Sequence, residues 1–342
     1  MSTLVKTGRL DAINIGLLLM SCALAFIVPF ELFLFVYAFL GPLHYLTEIS
    51  WLHDKNYYAK SKKDVILLVL ISVALTILFF WVRNNPQTLL EYMSFEQFSL
   101  LNSNLTFIAF GSALFFAFIK KPIIKIIGVG LIILLALLIE TPLVFFTVFL
   151  PTLVHVFVFT SIFMLYGALK SNSKTGLLSV ALHLLIPFAL FYLAPGFMPF
   201  EVGEYITSSY GEGFESLNKH ILANTFDVQF GGMNAQQTFE SVYNSTVGIA
   251  IMRFIAFAYT YHYLNWFSKT EVIRWHKVPK SRFAVVLIGW VVSIALYAWD
   301  YALGFQWLFL LSFMHVLLEF PLNYISFVGV FQEVRARIVK TA

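Results

Sequence analysis

Residues 65–82 read VILLVLISVALTILFFWV, set between Lys62-Lys63-Asp64 and Arg83-Asn84-Asn85-Pro86. At 1.5 Å per residue an uncharged helix of this length covers most of a hydrocarbon core about 30 Å thick. The flanking charges and the Asn-Asn-Pro turn mark where it meets water. Stretches of the same kind recur on both sides of it. The spacing predicts ten membrane helices, at 12–28, 30–50, 65–83, 99–119, 123–140, 142–169, 176–194, 246–267, 282–302 and 304–330.

Composition agrees. Hydrophobic residues make up 60% of the 342-residue chain and charged residues 12%, with mean hydropathy +0.83. Soluble domains are about 45–50% apolar and about 25% charged. The expected fold class is therefore all-α: a polytopic integral membrane helical bundle, 1–342 as a single transmembrane domain.

The charges fix an expected orientation. Counted loop by loop, 19 Lys and Arg fall on one set of alternate sides and 2 on the other, with Arg253 left inside a helix. The positive-inside rule makes the richer side cytoplasmic, so both termini are expected there, in a multi-pass cell-membrane protein (the inner membrane of a Gram-negative cell). The first helix also resembles a signal peptide, with Ala23-Leu24-Ala25 as a cleavage site. Cleavage there would leave Phe26 directly against the next helix, so an uncut helix is expected.

One long segment is not membrane. Residues 195–245 carry six acids against Lys219 and are rich in Gly, Ser, Asn and Gln. They are expected to form an extracytoplasmic loop or cap on the helix ends, or a docking surface for a partner in a membrane complex. There is no internal repeat.

Single Cys22 excludes an internal disulfide and any Cys-rich metal site. The net charge of +4 comes from loop lysines and arginines such as Lys269, Arg274, Lys277, Lys280 and Arg282, suited to anionic lipid headgroups, and no nucleic-acid partner is expected. There is no phosphate-cradling glycine loop, His-Glu-x-x-His zinc motif or nucleophile elbow.

What stands out is histidine in apolar surroundings. Ionisable groups at membrane depth are costly unless paired or ligated, and so mark function. His44, His155, His262 and His315 lie 14, 13, 16 and 11 residues into four helices that run in the same direction, a spread of about 8 Å in depth. His183 reaches a similar level from the opposite side. Helical spacing puts Tyr37, Gly41, His44 and Glu48 on one stripe and Ser312, His315, Glu319 and Asn323 on another; Thr152 accompanies His155, and Asn265 accompanies His262. Four polar stripes facing a common interior are how helical bundles build metal and cofactor sites.

The expected metal ligands are His44, His155, His262 and His315, a donor set that suits iron, copper, zinc or nickel. Glu48, Glu319, Asn265 and His183 are expected to support them, with each His-x-x-x-Glu pair fixing a tautomer within its own helix. Taken alone, His183 also reads as a histidine hydrogen-bonded to a neighbour. His53, His220 and His276 read as solvated. Arg253, Glu140 and Asp300 are expected to form a separate polar cluster in the outer half.

Gly41-Pro42-Leu43-His44-Tyr45-Leu46-Thr47-Glu48 resembles the early Gly-x-Pro-His-Gly-Ala-x-Asp motif of the bacterial Brp/Blh proteins, membrane-embedded carotenoid-cleaving dioxygenases. His262-Tyr263-Leu264-Asn265-Trp266 is similar to the His-aromatic elements of such proteins. The likeness covers about a dozen residues plus the helix and histidine count. It departs in the proline, which stands two before the histidine, in Tyr45-Leu46 for Gly-Ala, and in glutamate for aspartate. It implies His44 as an iron ligand and Glu48 as its supporting acid.

The function these readings point to is a non-haem metal oxygenase with iron (Fe2+) as cofactor, acting on a lipophilic polyene or isoprenoid substrate, with Tyr261, Tyr263 and Trp266 beside an apolar path. The same residues also fit a transporter or proton-coupled carrier using buried His/Glu pairs, a haem-binding protein, or a scaffold subunit.

Overall fold

The computed structural model describes residues 2–55, 61–138, 145–193 and 195–341. They form helices in the order α1 (Ser2–Ile27), α2 (Pro29–Lys55), α3 (Lys62–Asn84), α4 (Pro86–Tyr92), α5 (Phe95–Phe118), α6 (Pro122–Leu138), a π-helix (Phe145–Phe159) running straight into α7 (Thr160–Ser171), and α8 (Lys174–Tyr192). The 195–245 segment supplies α9 (Glu204–Gly211), α10 (Glu215–Phe226), α11 (Ala235–Phe239) and a π-helical turn (Glu240–Asn244). Then come α12 (Thr246–Ser268), the short α13 (Thr270–Ile273), α14 (Lys280–Trp299) and α15 (Tyr301–Thr341). Among the described residues there is no strand.

Nine of these helices are long and apolar enough to cross a membrane, and α6, at 17 residues, is a shorter apolar tenth. The molecule is an all-α polytopic bundle. Local chemistry sets most of the ends. Ser61, Ser94, Ser173 and Ser245 each accept a backbone N–H of the first turn, pairing a donor that the helix start leaves without an intrahelical acceptor. Asn172 ends α7 at φ 52°, a left-handed position that asparagine tolerates. Several segments differ from the sequence expectation: α1 begins at Ser2 and not at 12, and 145–159 is wound as a π-helix. Residues 86–92 form a helix where a loop was expected, opened by Pro86 at its first turn. The last helix continues past 330 to Thr341, because nothing in Gln332–Lys340 breaks it once the apolar run ends.

Helix α12 is the axis of the bundle. It packs on α1, α2, α8 and the π-helix, while α15 packs on α2, α3, α5, α7 and α14. Both chain ends reach the turn between α7 and α8: Ser173 donates to Asp11 of α1, and Arg337 of α15 donates to the Leu169 carbonyl at 2.5 Å and to Asn172 at 2.6 Å. That face is called the terminal face below.

The 195–245 segment covers the opposite end of the bundle. Arg83 at the end of α3 pairs with Glu212 at 2.7 Å, and Gly213 lies so close to Phe305 of α15 that a Cβ there would collide with the ring. Within the cap Tyr210 donates to Asn218, and Tyr243 donates to the Thr207 carbonyl and Glu215, both at 3.2 Å. Burial and the neighbouring Glu215 carboxylate raise the Tyr243 phenol above its usual range, keeping it a donor.

Of the expected outer cluster, Glu140 lies outside the described residues. Arg253, fully buried, donates to the carbonyls of Phe26 and Phe197 and lies 3.9 Å from the centre of the Phe26 ring. It ties α1 and the start of the cap to α12. Asp300 instead caps α15, accepting the Leu303 N–H at 2.7 Å.

Candidate metal centre

Four imidazoles close a ring at the centre of the bundle. Their centroids follow one another at 4.7 Å (His44 to His262), 4.8 Å (His262 to His155), 4.8 Å (His155 to His315) and 5.3 Å (His315 to His44). The planes turn by 67–81° at each step. The four come from α2, the π-helix, α12 and α15, so the site forms only when all four segments pack. All four are buried.

The nitrogens point inward. His44 Nε2 is 3.0 Å from His262 Nε2 and His155 Nε2 is 2.9 Å from His315 Nε2, and one nitrogen from each of the four lies within 4.8 Å of all the others. With metal–nitrogen bonds of about 2.1 Å, donors at right angles stand about 3.0 Å apart and opposite donors about 4.2 Å. The spacing fits one ion.

The other ring nitrogens account for the protons. His315 Nδ1–H donates to the Ser312 carbonyl at 2.6 Å. His262 Nδ1 is 2.8 Å from the Thr160 hydroxyl, and His155 Nδ1 is 3.2 Å from a Glu319 carboxylate oxygen. With Nδ1 protonated, His315 and His262 each turn an Nε2 lone pair to the centre in a tautomer fixed by a hydrogen bond, as ligating histidines are held elsewhere. The Nδ1 atoms of His44 and His155 have no hydrogen-bond partner, although Glu319 stands beside the latter at ion-pair distance.

The carboxylates divide differently from the sequence expectation. Glu319 meets His155 on the neighbouring segment, not His315 one turn away in its own helix, because the Ser312 carbonyl already occupies His315 Nδ1. Glu48 approaches His44 at 3.1 Å through Nε2, the nitrogen that faces the centre. With His315 and Glu319 it makes a second group close enough to share an ion. Buried carboxylate oxygens of both acids, Glu48 Oε2 and Glu319 Oε2, have no hydrogen-bond partner.

His183 stands outside this ring. It bonds Ser161 at 3.0 Å and lies 4.5 Å from the Phe157 ring. Asn265 faces the cavity below the ring, its Oδ1 without a partner. Of the solvated histidines, His276 is exposed and packs edge-on to Trp275, while partial burial in the cap lowers the His220 pKa.

Aromatic rings brace the cluster. Tyr45 stacks on His315 at 4.2 Å and its hydroxyl meets that of Tyr263 at 2.6 Å. Trp266 donates to Thr47 at 3.0 Å, while Tyr261 packs on His183 and not on the cluster.

Thr160 was not foreseen, and its absence from the sequence reading has a cause. Ordinary helical spacing pairs His155 with Thr152, whose hydroxyl turns back to the Val148 carbonyl. The segment carrying His155 is π-helical, where hydrogen bonds run from i to i+5 and the fifth residue shares a face. Thr160 is that residue.

Two cavities flank the ring. One of about 180 Å³ opens on the terminal-face side and is lined by His44, His262, Glu48, Glu319, Asn265 and Lys269. Burial at its mouth pulls the Lys269 ammonium down to about 8, against the smaller pull of Asp11. The other, about 200 Å³, lies between the ring and the cap.

Comparison with protein-family models, curated proteins and solved structures finds no match to this chain. The function has to be argued from the site. A multi-pass membrane bundle with a buried cluster of four histidines and two glutamates that can hold a metal ion is what its geometry defines.

Proposed function

We propose that the protein is a membrane-embedded non-haem metal oxygenase, with iron held by His44, His155, His262 and His315 and a lipophilic polyene or isoprenoid as substrate. The observation that carries this is the convergence of four imidazole nitrogens, with His315 and His262 each held by a hydrogen bond at Nδ1. Open-site oxygenases use nitrogen donors with a nearby carboxylate. Iron would supply dioxygen activation. The chain's own part is to hold the donors, keep Glu48 beside His44 Nε2 and exclude bulk water. The likeness of Gly41–Glu48 to the Brp/Blh motif supports the same chemistry.

Membrane lipid is the surrounding partner, and the Lys/Arg distribution supports a cell-membrane protein with cytoplasmic termini. A proton-coupled carrier is the second reading, favoured by Glu48 and Glu319 lining a cavity toward the terminal face.

The test is elemental analysis and an optical spectrum of the purified protein beside His44→Ala and His315→Ala. Near-stoichiometric iron without a Soret band, lost in both variants, is expected. Protein that stays metal-free after reconstitution under anaerobic ferrous iron overturns the oxygenase and leaves the carrier.

A further inference from the structure

A cleft away from the histidine ring lies at the cap end of the bundle. It runs between α2 and α14, with cap helix α9 and the start of α15 completing its walls, and its volume is about 310 Å³. Glu31, Phe35 and Phe39 of α2 line it at i, i+4 and i+8, a single stripe of that helix. Tyr205 of α9, Tyr297 of α14 and Tyr301 of α15 line it too. Phe35, Phe39 and Tyr205 are exposed, so the cleft opens sideways to the surroundings of the bundle.

Two polar atoms here are unsatisfied. Glu31 Oε2 and the Tyr297 hydroxyl are buried without a hydrogen-bond partner, and Tyr297 is only 4% exposed. The Tyr301 hydroxyl, by contrast, donates to the Leu34 carbonyl at 3.2 Å. No Lys, Arg or His lines the cleft. Burying polar atoms without partners is costly, and the group that satisfies both of these is a cation with N–H donors. A primary ammonium has three such donors, and aromatic faces attract its charge. The rings are in place for this: Tyr297 and Tyr301 meet edge-on at 4.7 Å, and Phe35 stacks on Phe39 at 5.4 Å.

The position along α2 selects the bearer of the ammonium. A helix of 27 residues is about 40 Å long, some 10 Å more than a hydrocarbon core, so Glu31 in its first turn stands at the level of lipid headgroups. Phe35 and Phe39 lie one and two turns deeper. Trp290 extends their surface, donating to the Phe39 carbonyl at 2.8 Å and meeting the Phe39 ring edge-on at 5.2 Å.

We propose that this cleft binds an aminophospholipid of the cap-side leaflet, its primary ammonium donating to Glu31 and Tyr297 and an acyl chain lying along Phe35 and Phe39. A choline headgroup carries the same charge but no N–H, so the cleft distinguishes ethanolamine from choline lipids. The site is independent of the metal centre and of any reaction there.

The test adds phosphatidylethanolamine, phosphatidylcholine or phosphatidylglycerol, all with the same acyl chains, to the full-length protein in detergent and reads binding by native mass spectrometry. Wild type is expected to bind the first ethanolamine lipid at least about tenfold more tightly than the other two. Glu31→Gln removes that preference and Tyr297→Phe lowers it, while Ile288→Ala, exposed on α14 and outside the cleft, retains it. Equal binding of ethanolamine and choline lipids by wild type, or a preference that survives in Glu31→Gln, overturns the proposal. Free ethanolamine that displaces the lipid at equal concentration overturns the lipid assignment in favour of a soluble amine. A phosphatidylethanolamine with a diazirine in its acyl chain, photolysed on wild type, covers a Glu31→Gln that does not fold. Label on Phe35, Phe39 or Trp290 supports the site, and label confined to other residues overturns it.

Discussion

Helices α12 and α14 have similar lengths, 23 and 20 residues, yet 83% of the membrane window of α12 is buried in the bundle against 17% for α14. The more apolar of the two is the exposed one, with mean hydropathy 1.8 against 1.2. In water that ordering would be inverted. In a bilayer, lipid tails satisfy Val285, Ile288 and Val291 of α14 as well as protein would, and helices are drawn inward by polar groups and close packing. Helix α12 carries Arg253, Thr260, His262 and Asn265, all buried, among Ala250, Ala256 and Ala258. Even α14 uses a serine where it touches the bundle, Ser293 accepting the Trp307 indole N–H at 2.8 Å.

The comparison can be broken at α12. His262→Ala removes a ligand and its bond to Thr160, and metal affinity is expected to fall by more than about 100-fold, beyond the loss from removing a supporting residue. Metal retained within tenfold of wild type, by competition with a chelator of known affinity, would show that the histidine ring is only a hydrogen-bonded core. Supporting groups come next. Glu319→Gln and Thr160→Val are each expected to lower affinity by about 10–100-fold, Glu319 the more because it is an anion, with the helical circular dichroism signal unchanged.

A smaller effect belongs to the end of α12. Folded protein gives up the Lys269 proton at about 8 where an unfolded lysine holds it to 10.5. Between these values the unfolded state binds more protons, so stability rises with pH across that window, and the cost of burying the ammonium is fully present below about 8. Wild type should therefore gain in unfolding midpoint from pH 8 to 10 relative to Lys269→Met; parallel profiles would place the amine in water. The smallest effect sharpens the other side: Ile288→Ala, on the lipid face of α14, should change unfolding free energy by no more than about 0.5 kcal/mol.

The spans were legible because a membrane helix is a local fact. The run expected at 246–267 is Thr246–Ser268, and that expected at 176–194 is Lys174–Tyr192; apolar length bounded by charge or a turn suffices. The shared depth of His44, His155, His262 and His315 was legible too, since rise per residue is constant and the directions alternate. Rotation about each helix axis was not. Glu319 stands four residues from His315 and could be read only as its partner, yet the face of α15 turns that carboxylate to His155. Lys269, one residue beyond α12, read as a loop charge and proves to stand over the inner cavity because α13 follows at once. These are facts about neighbouring helices, which spacing within one helix does not contain.

The π-helix from Phe145 to Phe159 has a consequence for ancestry. Its wide winding, with Pro151 inside it, uses more residues per turn than an ordinary helix to reach the depth of His155. A relative that kept the same metal centre but wound this segment as α-helix would arrive there with fewer residues. An alignment that forbids gaps inside membrane helices would then set His155 against the wrong neighbour, and the shared histidine would vanish from the comparison. Lineages of this fold are better traced by superposing the four imidazoles than by counting along the chain.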